Sequence, residues 1–271
     1  MPPEKALALV VRGTDWSETS RITTLFTREF GKVRALAKGG RRLKSNFDIA
    51  FDLLNVCHIV FLRKAHGGLD LLTEAQVAER FPALRHDLTS LYAGYYIAEL
   101  LADGTQDYDP HPELFDAALE TLRGLGNLAS RERKRPEFPS TPVAHAPVSP
   151  NPLDAVVSFE LVWLRELGYS PRLDACSSCG SEVVPAGAER VQFSPSAGGV
   201  ICSACGPATA DRRMLTVDAL NALRGLTEAQ EQPGAKPDLT AVRGELRSLF
   251  GQIVSFVLGH RPKLLSYLEG C

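Results

Sequence analysis

The chain has 271 residues, of which 44% are hydrophobic and 23% charged, and a formal net charge of −2 at pH 7. That length exceeds what one hydrophobic core usually serves, so two or three folded units are expected. No apolar run approaches the ~20 residues needed to cross a bilayer as a helix, and the opening Met1-Pro2-Pro3-Glu4 resembles neither a secretory signal nor a transit peptide, so the expected location is cytoplasmic.

The modest net charge hides an asymmetry. Residues 1–45 hold ten Lys or Arg against four acids, a balance of +6, which leaves −8 for the remainder. From Ala6 to about Ala78 the pattern is β. Ala6–Arg12, Arg21–Thr27, Lys32–Lys38, Val56–Leu62 and Leu69–Glu74 are short runs bounded by turn residues, and Arg28-Glu29-Phe30-Gly31 carries the glycine of a hairpin turn. Five short strands in so little chain cannot build a large sandwich but can close a small OB-type barrel over residues 1–80, a common nucleic-acid platform. The basic charge crowds at Lys32, Arg34, Lys38, Arg41, Arg42 and Lys44. Such a run is either a solvated edge or a binding surface; Gly39-Gly40 favours the second, because flexible backbone lets cations wrap a polyanion.

After Phe81 the period becomes helical, with Leu88, Leu91, Tyr92, Tyr95, Leu100 and Leu101 in one pattern and a second helix expected over Pro112–Leu125. Residues 131–150 join a charge cluster to five prolines and read as a surface insertion. Asn151-Pro152 is an N-cap followed by the proline favoured at the first helical position, and Val156, Phe159, Trp163 and Leu167 form a stripe ending at Gly168. Farther on, Val242, Leu246, Leu249, Phe250, Ile253, Phe256 and Val257 form another, closed by Gly259 and Pro262. The expected layout is a helical domain in two parts, 81–175 and 213–271, on either side of a metal motif at 176–212.

That motif is Cys176-Ser-Ser-Cys179 and Cys202-Ser-Ala-Cys205. Each Cys-x2-Cys puts two thiolates on one turn at the bite of a tetrahedral ion, and the donor type says zinc. Gly180 and Gly206 follow the pairs, and Val191-Gln192-Phe193, Gly198-Gly199 and Val200-Ile201 between them read as a hairpin. Four thiolates leave no open position for a reacting water, so one structural zinc is expected. Its binding free energy, on the order of 10 kcal/mol or more, counts as folding free energy. Cys57 and Cys271 read as reduced bystanders.

Gly39-Gly40-Arg41-Arg42-Leu43-Lys44-Ser45 lacks the glycine that directly precedes the lysine of a phosphate loop, so nucleotide binding is not expected. The histidines form no metal or triad pattern, and no enzyme activity is expected.

Three blocks of residues resemble a known family. They are Trp16-Ser17-Glu18-Thr19-Ser20-Arg21, Leu25-Phe26-Thr27-Arg28-Glu29-Phe30-Gly31-Lys32, and Ala37-Lys38-Gly39-Gly40-Arg41-Arg42 with Ser45 close behind. Together with Pro171–Gly180, Phe193-Ser194 and Gly198–Cys202, they make the chain similar to the bacterial recombination mediator RecO family. The resemblance implies an OB-fold, a helical domain and an inserted zinc motif. It also implies binding of single- and double-stranded DNA, annealing of complementary strands without ATP, association with RecR, and loading of recombinase onto strands coated by single-stranded-DNA-binding protein, at the nucleoid. On that reading Arg21, Lys32, Arg34, Lys38, Arg41, Arg42 and Lys44 are the expected phosphate contacts, with Trp16 and Phe30 offered for base stacking. The competing class is a zinc-containing OB-fold adaptor that binds RNA or a protein. A zinc hydrolase is disfavoured by the closed thiolate set.

Overall fold

In the computed structural model the strands β1 (Pro3–Asp15), β2 (Arg21–Thr27), β3 (Gly31–Ala37), β4 (Val56–Leu62) and β5 (Asp70–Glu79) close a barrel in the order β1-β2-β3-β5-β4. The residues described are 2–39, 47, 50–64, 68–133, 151–183, 188–232 and 236–269. They fall into two compact units, Met1–Glu137 and Phe138–Cys271. The barrel pairs are antiparallel except β3 with β5, which run parallel with Ala35 opposite Asp70. That order is the OB type expected from the sequence.

Alternation along the strands fills the barrel. Ala6, Ala8, Val10, Leu25, Val33, Ala35, Ala37, Ile59, Phe61 and Leu72 share one buried cluster, joined by Phe47 and Phe51. The last two rings are stacked with centroids 5.1 Å apart. Strand β1 breaks its alternation once: Val10 pairs with Leu25 but Arg12 pairs with Thr24, so Val11 is the extra residue of a bulge. A bulge shifts the side-chain parity of everything after it. Arg12, which strict alternation would aim inward with Ala6, Ala8 and Val10, instead faces outward.

Helices α1 (Leu88–Gly104) and α2 (Pro112–Arg133) belong to the same unit as the barrel. Helix α1 starts at the Asp87 N-cap, whose carboxylate accepts the Ser90 amide at 2.8 Å. Its buried face runs through Ser90, Ala93, Gly94, Ile97 and Leu101, and Leu88 is left 65% exposed. The expected stripe through Leu88, Leu91 and Tyr92 is therefore rotated. Small residues decide the seat: a Cβ on Gly94 would stand 2.9 Å from Leu54 Cδ1, so Gly94 marks the point of closest approach.

The second unit contains α3 (Pro152–Glu166), a sheet of order β7-β6-β8 formed by β6 (Arg190–Ser194), β7 (Gly199–Ile201) and β8 (Arg213–Thr216), then α4 (Val217–Glu231), α5 (Arg243–Leu258) and α6 (Leu265–Glu269). Helix α3 begins at the expected Asn151 cap and Pro152, and Gly259 ends α5 in the left-handed region. Helices α3 and α5 pack together around a buried ion pair, Arg247 to Glu160 at 2.5 Å. Phe256, expected in the core stripe of α5, is 51% exposed because the stripe loses its cover in the last turn. Helix α4 and strand β8 are additions to the sequence reading. The stripe Ala219, Leu220, Leu223 and Leu226 is buried but holds no aromatic residue to mark it. Contact thus groups α1 and α2 with the barrel and α3 to α6 with the cysteine hairpin. Among the described residues no helix is long and apolar enough to cross a membrane.

Gly31 closes the β2–β3 turn with φ +65°, and a Cβ there would run into the Asp109 backbone. The Gly31→Ala substitution should therefore lower stability by roughly 1–3 kcal/mol from the strained φ alone, with the clash adding to it. Thermal unfolding should show this beside Gly124→Ala, where a Cβ meets nothing within 4 Å and helix propensity favours alanine.

Candidate zinc centre and nucleic-acid interface

The two cysteine pairs converge. Cys176, Cys179, Cys202 and Cys205 offer sulfur atoms that all lie within 4.8 Å of one another. Sulfurs bound to one zinc at about 2.3 Å in a tetrahedron stand roughly 3.8 Å apart, and Cys179 Sγ to Cys202 Sγ is 3.6 Å. The two turns repeat one geometry: Gly180 N donates to Cys176 O at 2.8 Å and Gly206 N to Cys202 O at 2.9 Å. Gly180 sits at φ +79°, as the tight return of the chain requires. The pairs are held in register by β6 and β7, by Ser177 N donating to Val200 O at 2.9 Å, and by Cys176 N donating to Ser181 O at 2.8 Å.

The electrostatics suit a cation. The backbone amide of Cys202 donates to Cys176 Sγ at 3.3 Å and is the main reason the Cys176 thiol is pushed down to about 6. The amide of Cys205 does the same for Cys202, which is also lowered. Cys205, hydrogen-bonded to the Cys202 and Cys179 sulfurs, has its thiol pushed up to about 12. Four crowded sulfurs cannot all ionise without a cation among them. The donor set fits a tetrahedral thiophilic ion with no position left for water. Cys57 is different: buried in the barrel, it donates to Ala50 O at 3.3 Å, and burial raises its thiol to about 11.

The basic residues of the first unit divide by position. Lys32 is turned toward α1, where Nζ donates to Ala102 O at 2.9 Å and to Thr105 O at 2.5 Å, with Asp107 at 3.7 Å. It satisfies carbonyls that the end of a helix leaves without partners, and its side chain is only 13% exposed. Burial lowers its pKa. Phe30 packs edge-on against Phe61 with centroids 5.5 Å apart, so its ring faces the barrel cluster and is not offered to a base. Both residues sit at the helix-covered end of the sheet.

Among the described residues, the other end carries no helix over it. Ala37 pairs with Arg21, and Arg21 with Asp15, so the β1–β2 loop lies beside the end of β3. Trp16, in that loop, is 65% exposed, and its amide donates to Ser20 O at 3.1 Å. Lys38 is exposed and makes no ion pair among the described residues. Arg21 packs over Gly13, with Nε 3.6 Å from Asp15. Arg41, Arg42 and Lys44 lie outside the described residues; the chain enters their segment directly from Lys38-Gly39.

Between the two ends lies a row that joins the expected Arg34 to Arg12, which the sequence does not single out. Arg12 pairs with Thr24, and Thr24 with Arg34, so the two arginines flank a threonine on the outer face of β1-β2-β3. Arg12 donates to Asp103 at 2.7 Å and Arg34 to Asp107 at 2.8 Å. The next row outward is Thr14, Ile22 and Leu36, an apolar floor between these arginines and the Trp16 loop. Arg28 lies in the β2–β3 turn and pairs with Asp116 of α2 at 3.0 Å.

In the second unit a cleft of about 860 Å³ is lined by Arg243, Arg247, Arg261, Phe256 and Leu265. Its arginines pair with Asp154, Glu160 and Glu269.

The family pattern described as Recombination protein O N terminal matches residues 1–81, and Recombination protein O C terminal matches 85–136 and 144–266. The DNA repair protein RecO of Rhodopirellula baltica is 34% identical over 288 aligned residues, covering 97% of each chain. That of Myxococcus xanthus is 34% identical over 264, covering 96% of this chain and 95% of its own. The Anaeromyxobacter dehalogenans protein is 32% identical over 266, covering 98% and 95%.

Two outcomes follow from the cysteine geometry. Cys176→Ser should lower the melting temperature and the zinc content measured by atomic absorption; full retention of one tightly held zinc would contradict a four-sulfur site. Because zinc takes thiolates and its binding displaces thiol protons, zinc affinity should fall as pH falls. The expected change is about tenfold per pH unit for each proton displaced, read by competition with a chromogenic chelator at pH 6.5 and 8.

Proposed function

The chain belongs to the recombination protein O family, and from that premise we propose that it acts in recombinational DNA repair as a mediator with no catalytic activity of its own. It binds single- and double-stranded DNA and anneals complementary strands without ATP. With RecR it helps load recombinase onto DNA coated by single-stranded-DNA-binding protein, in the cytoplasm at the nucleoid. One zinc on Cys176, Cys179, Cys202 and Cys205 serves a structural role, tying the hairpin whose few residues bury too little to hold it.

The observation that carries this reading is the end of the barrel that no described helix covers. Arg12 and Arg34 edge an apolar floor of Ile22 and Leu36, and beyond it stand the exposed Trp16 and Lys38, from which the chain leads into Arg41, Arg42 and Lys44. Cations at the margins and apolar or aromatic surface between them are what a single strand needs: phosphates for the first, base faces for the second. Annealing requires two polyanions to approach, and neutralising phosphates on both lowers their repulsion while base pairing supplies the driving force. Lys32 and Phe30 contribute by holding α1 and the barrel rather than by touching DNA.

Annealing of complementary labelled oligonucleotides without ATP, over a salt series and with one strand precoated by single-stranded-DNA-binding protein, tests the reading. Acceleration that fades with salt is expected; no acceleration together with a preference for RNA would point to an adaptor instead. With about five phosphate contacts, log K for single strands should fall against log salt with a slope near −3.5, and Arg41→Ala/Arg42→Ala/Lys44→Ala should flatten it by roughly 2. Trp16→Ala should cost about 1–3 kcal/mol of affinity with the slope unchanged, since it removes a stacking surface and no charge.

A further inference from the structure

The arginine row on the outer face of the barrel is not bare. Arg12 Nη2 meets Asp103 Oδ1 at 2.7 Å, while Nε and Nη2 of Arg34 both donate to Asp107 Oδ2 at 2.9 and 2.8 Å. The cations are the more exposed partners, 49% and 54%, against 21% and 38% for the acids. Asp107 is anchored by backbone, since its residue bridges to Lys32 and the next amide, Tyr108 N, donates to Lys32 O at 3.0 Å. Asp103 sits in the last turn of α1, which holds no basic residue. That end of a helix carries the negative pole of its dipole, so an acid there works against the helix that bears it. Neither acid caps a helix start, and each meets a cation of the outer face, Asp103 with Arg12 and Asp107 with Arg34, Asp107 also standing 3.7 Å from Lys32 Nζ.

We propose that Asp103 and Asp107 are internal competitors for DNA phosphate, occupying in the free protein the donors that phosphate oxygens take in the complex. This rests on the reading of the barrel as a DNA-binding surface. Carboxylate and phosphate oxygens present the same acceptor chemistry to a guanidinium. The pairs are exposed enough to open cheaply, so an incoming strand draws the arginines outward while the anchored carboxylates remain nearby and oppose it. An annealing protein must let strands slide into register, and a face whose cations are already half satisfied grips phosphate loosely. The acids set how loosely.

Fluorescence anisotropy of a labelled oligothymidine, titrated with the full-length protein across a salt series, reads the effect. Asp103→Asn/Asp107→Asn should bind about ten- to twenty-fold more tightly at low salt, since each exposed pair is worth roughly three- to fivefold. Its slope against log salt should steepen by about 1.4, two added phosphate contacts. Glu113→Gln/Glu120→Gln makes the same change of charge on α2, away from this row, and should bind within twofold of the unaltered protein. Adding Arg12→Gln/Arg34→Gln to the tight-binding variant should abolish the gain. Asparagine keeps an acceptor at each position; if the double variant fails to fold in a thermal melt, Asp103→Asn alone carries the test with its three- to fivefold. Equal tightening in the α2 control would reduce the effect to net charge and overturn the proposal. So would unchanged affinity and slope in a variant whose parent binds DNA, which would leave the function standing. Failure of every protein, parent included, to bind would overturn the DNA-binding reading and this proposal with it.

Discussion

Leu9, Phe26 and Lys32 form one row across β1, β2 and β3, and the covering of that row fixes what the rest of the sheet face can do. Leu9 and Phe26 are fully buried, and Phe26 meets Phe115 of α2 with ring centroids 6.3 Å apart. Burying two such side chains is worth roughly 3–6 kcal/mol relative to exposing them, so the helices stay down over this part of the barrel. Lys32, its side chain only 13% exposed, spends its charge on the terminal carbonyls of α1. One row farther along, the cover ends; the arginines there meet only the last acid of α1 and the first acid beyond it. The boundary between structural and available charge on this sheet is therefore a boundary of apolar packing.

The same division of labour holds on the segment after α1. Tyr108, itself in the left-handed region at φ +61°, donates to the buried Asp70, and Arg63 lies over its ring at 3.8 Å. Burial and the bond to Asp70 both raise the Tyr108 pKa. Asp70 also accepts the Lys64 amide at 2.9 Å, so one buried carboxylate ties the start of β5 to the segment that delivers Asp107. The placement of the acid beside Arg34 is thus determined by a polar contact on the far side of the strand pair. In the second unit the hairpin depends on its sulfurs in a comparable way. Its strands are short, and Gly199, where a Cβ would collide with the Arg172 backbone, brings the chain preceding Cys176 against β7.

Much of this was legible in the chain. Strand alternation within residues 6–78 marked the barrel, Asn151-Pro152 and Gly259 marked helix ends, and the Cys-x2-Cys spacing marked the four-cysteine cluster, because each depends on neighbours a few residues apart. The helical stripes were read correctly in kind and less well in direction. Leu88 and Phe256 look like core residues by spacing but lie where the partner surface has run out, and Gly94, which a hydrophobic pattern overlooks, turns out to be the contact point of α1. Position on a helix says which residues share a face; only the neighbour says which face is covered.

The sequence by itself determined the zinc-type ligand set, the barrel class and the concentration of basic charge near one end of the chain, since composition, spacing and period-2 or period-3.6 patterning are local properties. Tertiary structure alone decided which of those charges faces solvent. Lys32 and Arg34 are two residues apart on one strand and share its outer face, yet one is largely covered by α1 and the other is half exposed. Arg12 looked like an inward position of β1 until a single extra residue at Val11 reversed its parity. Its partner Asp103 lies 91 positions away, a separation that no local pattern spans, because the pairing is made by the packing of α1 on the barrel and not by the chain that connects them.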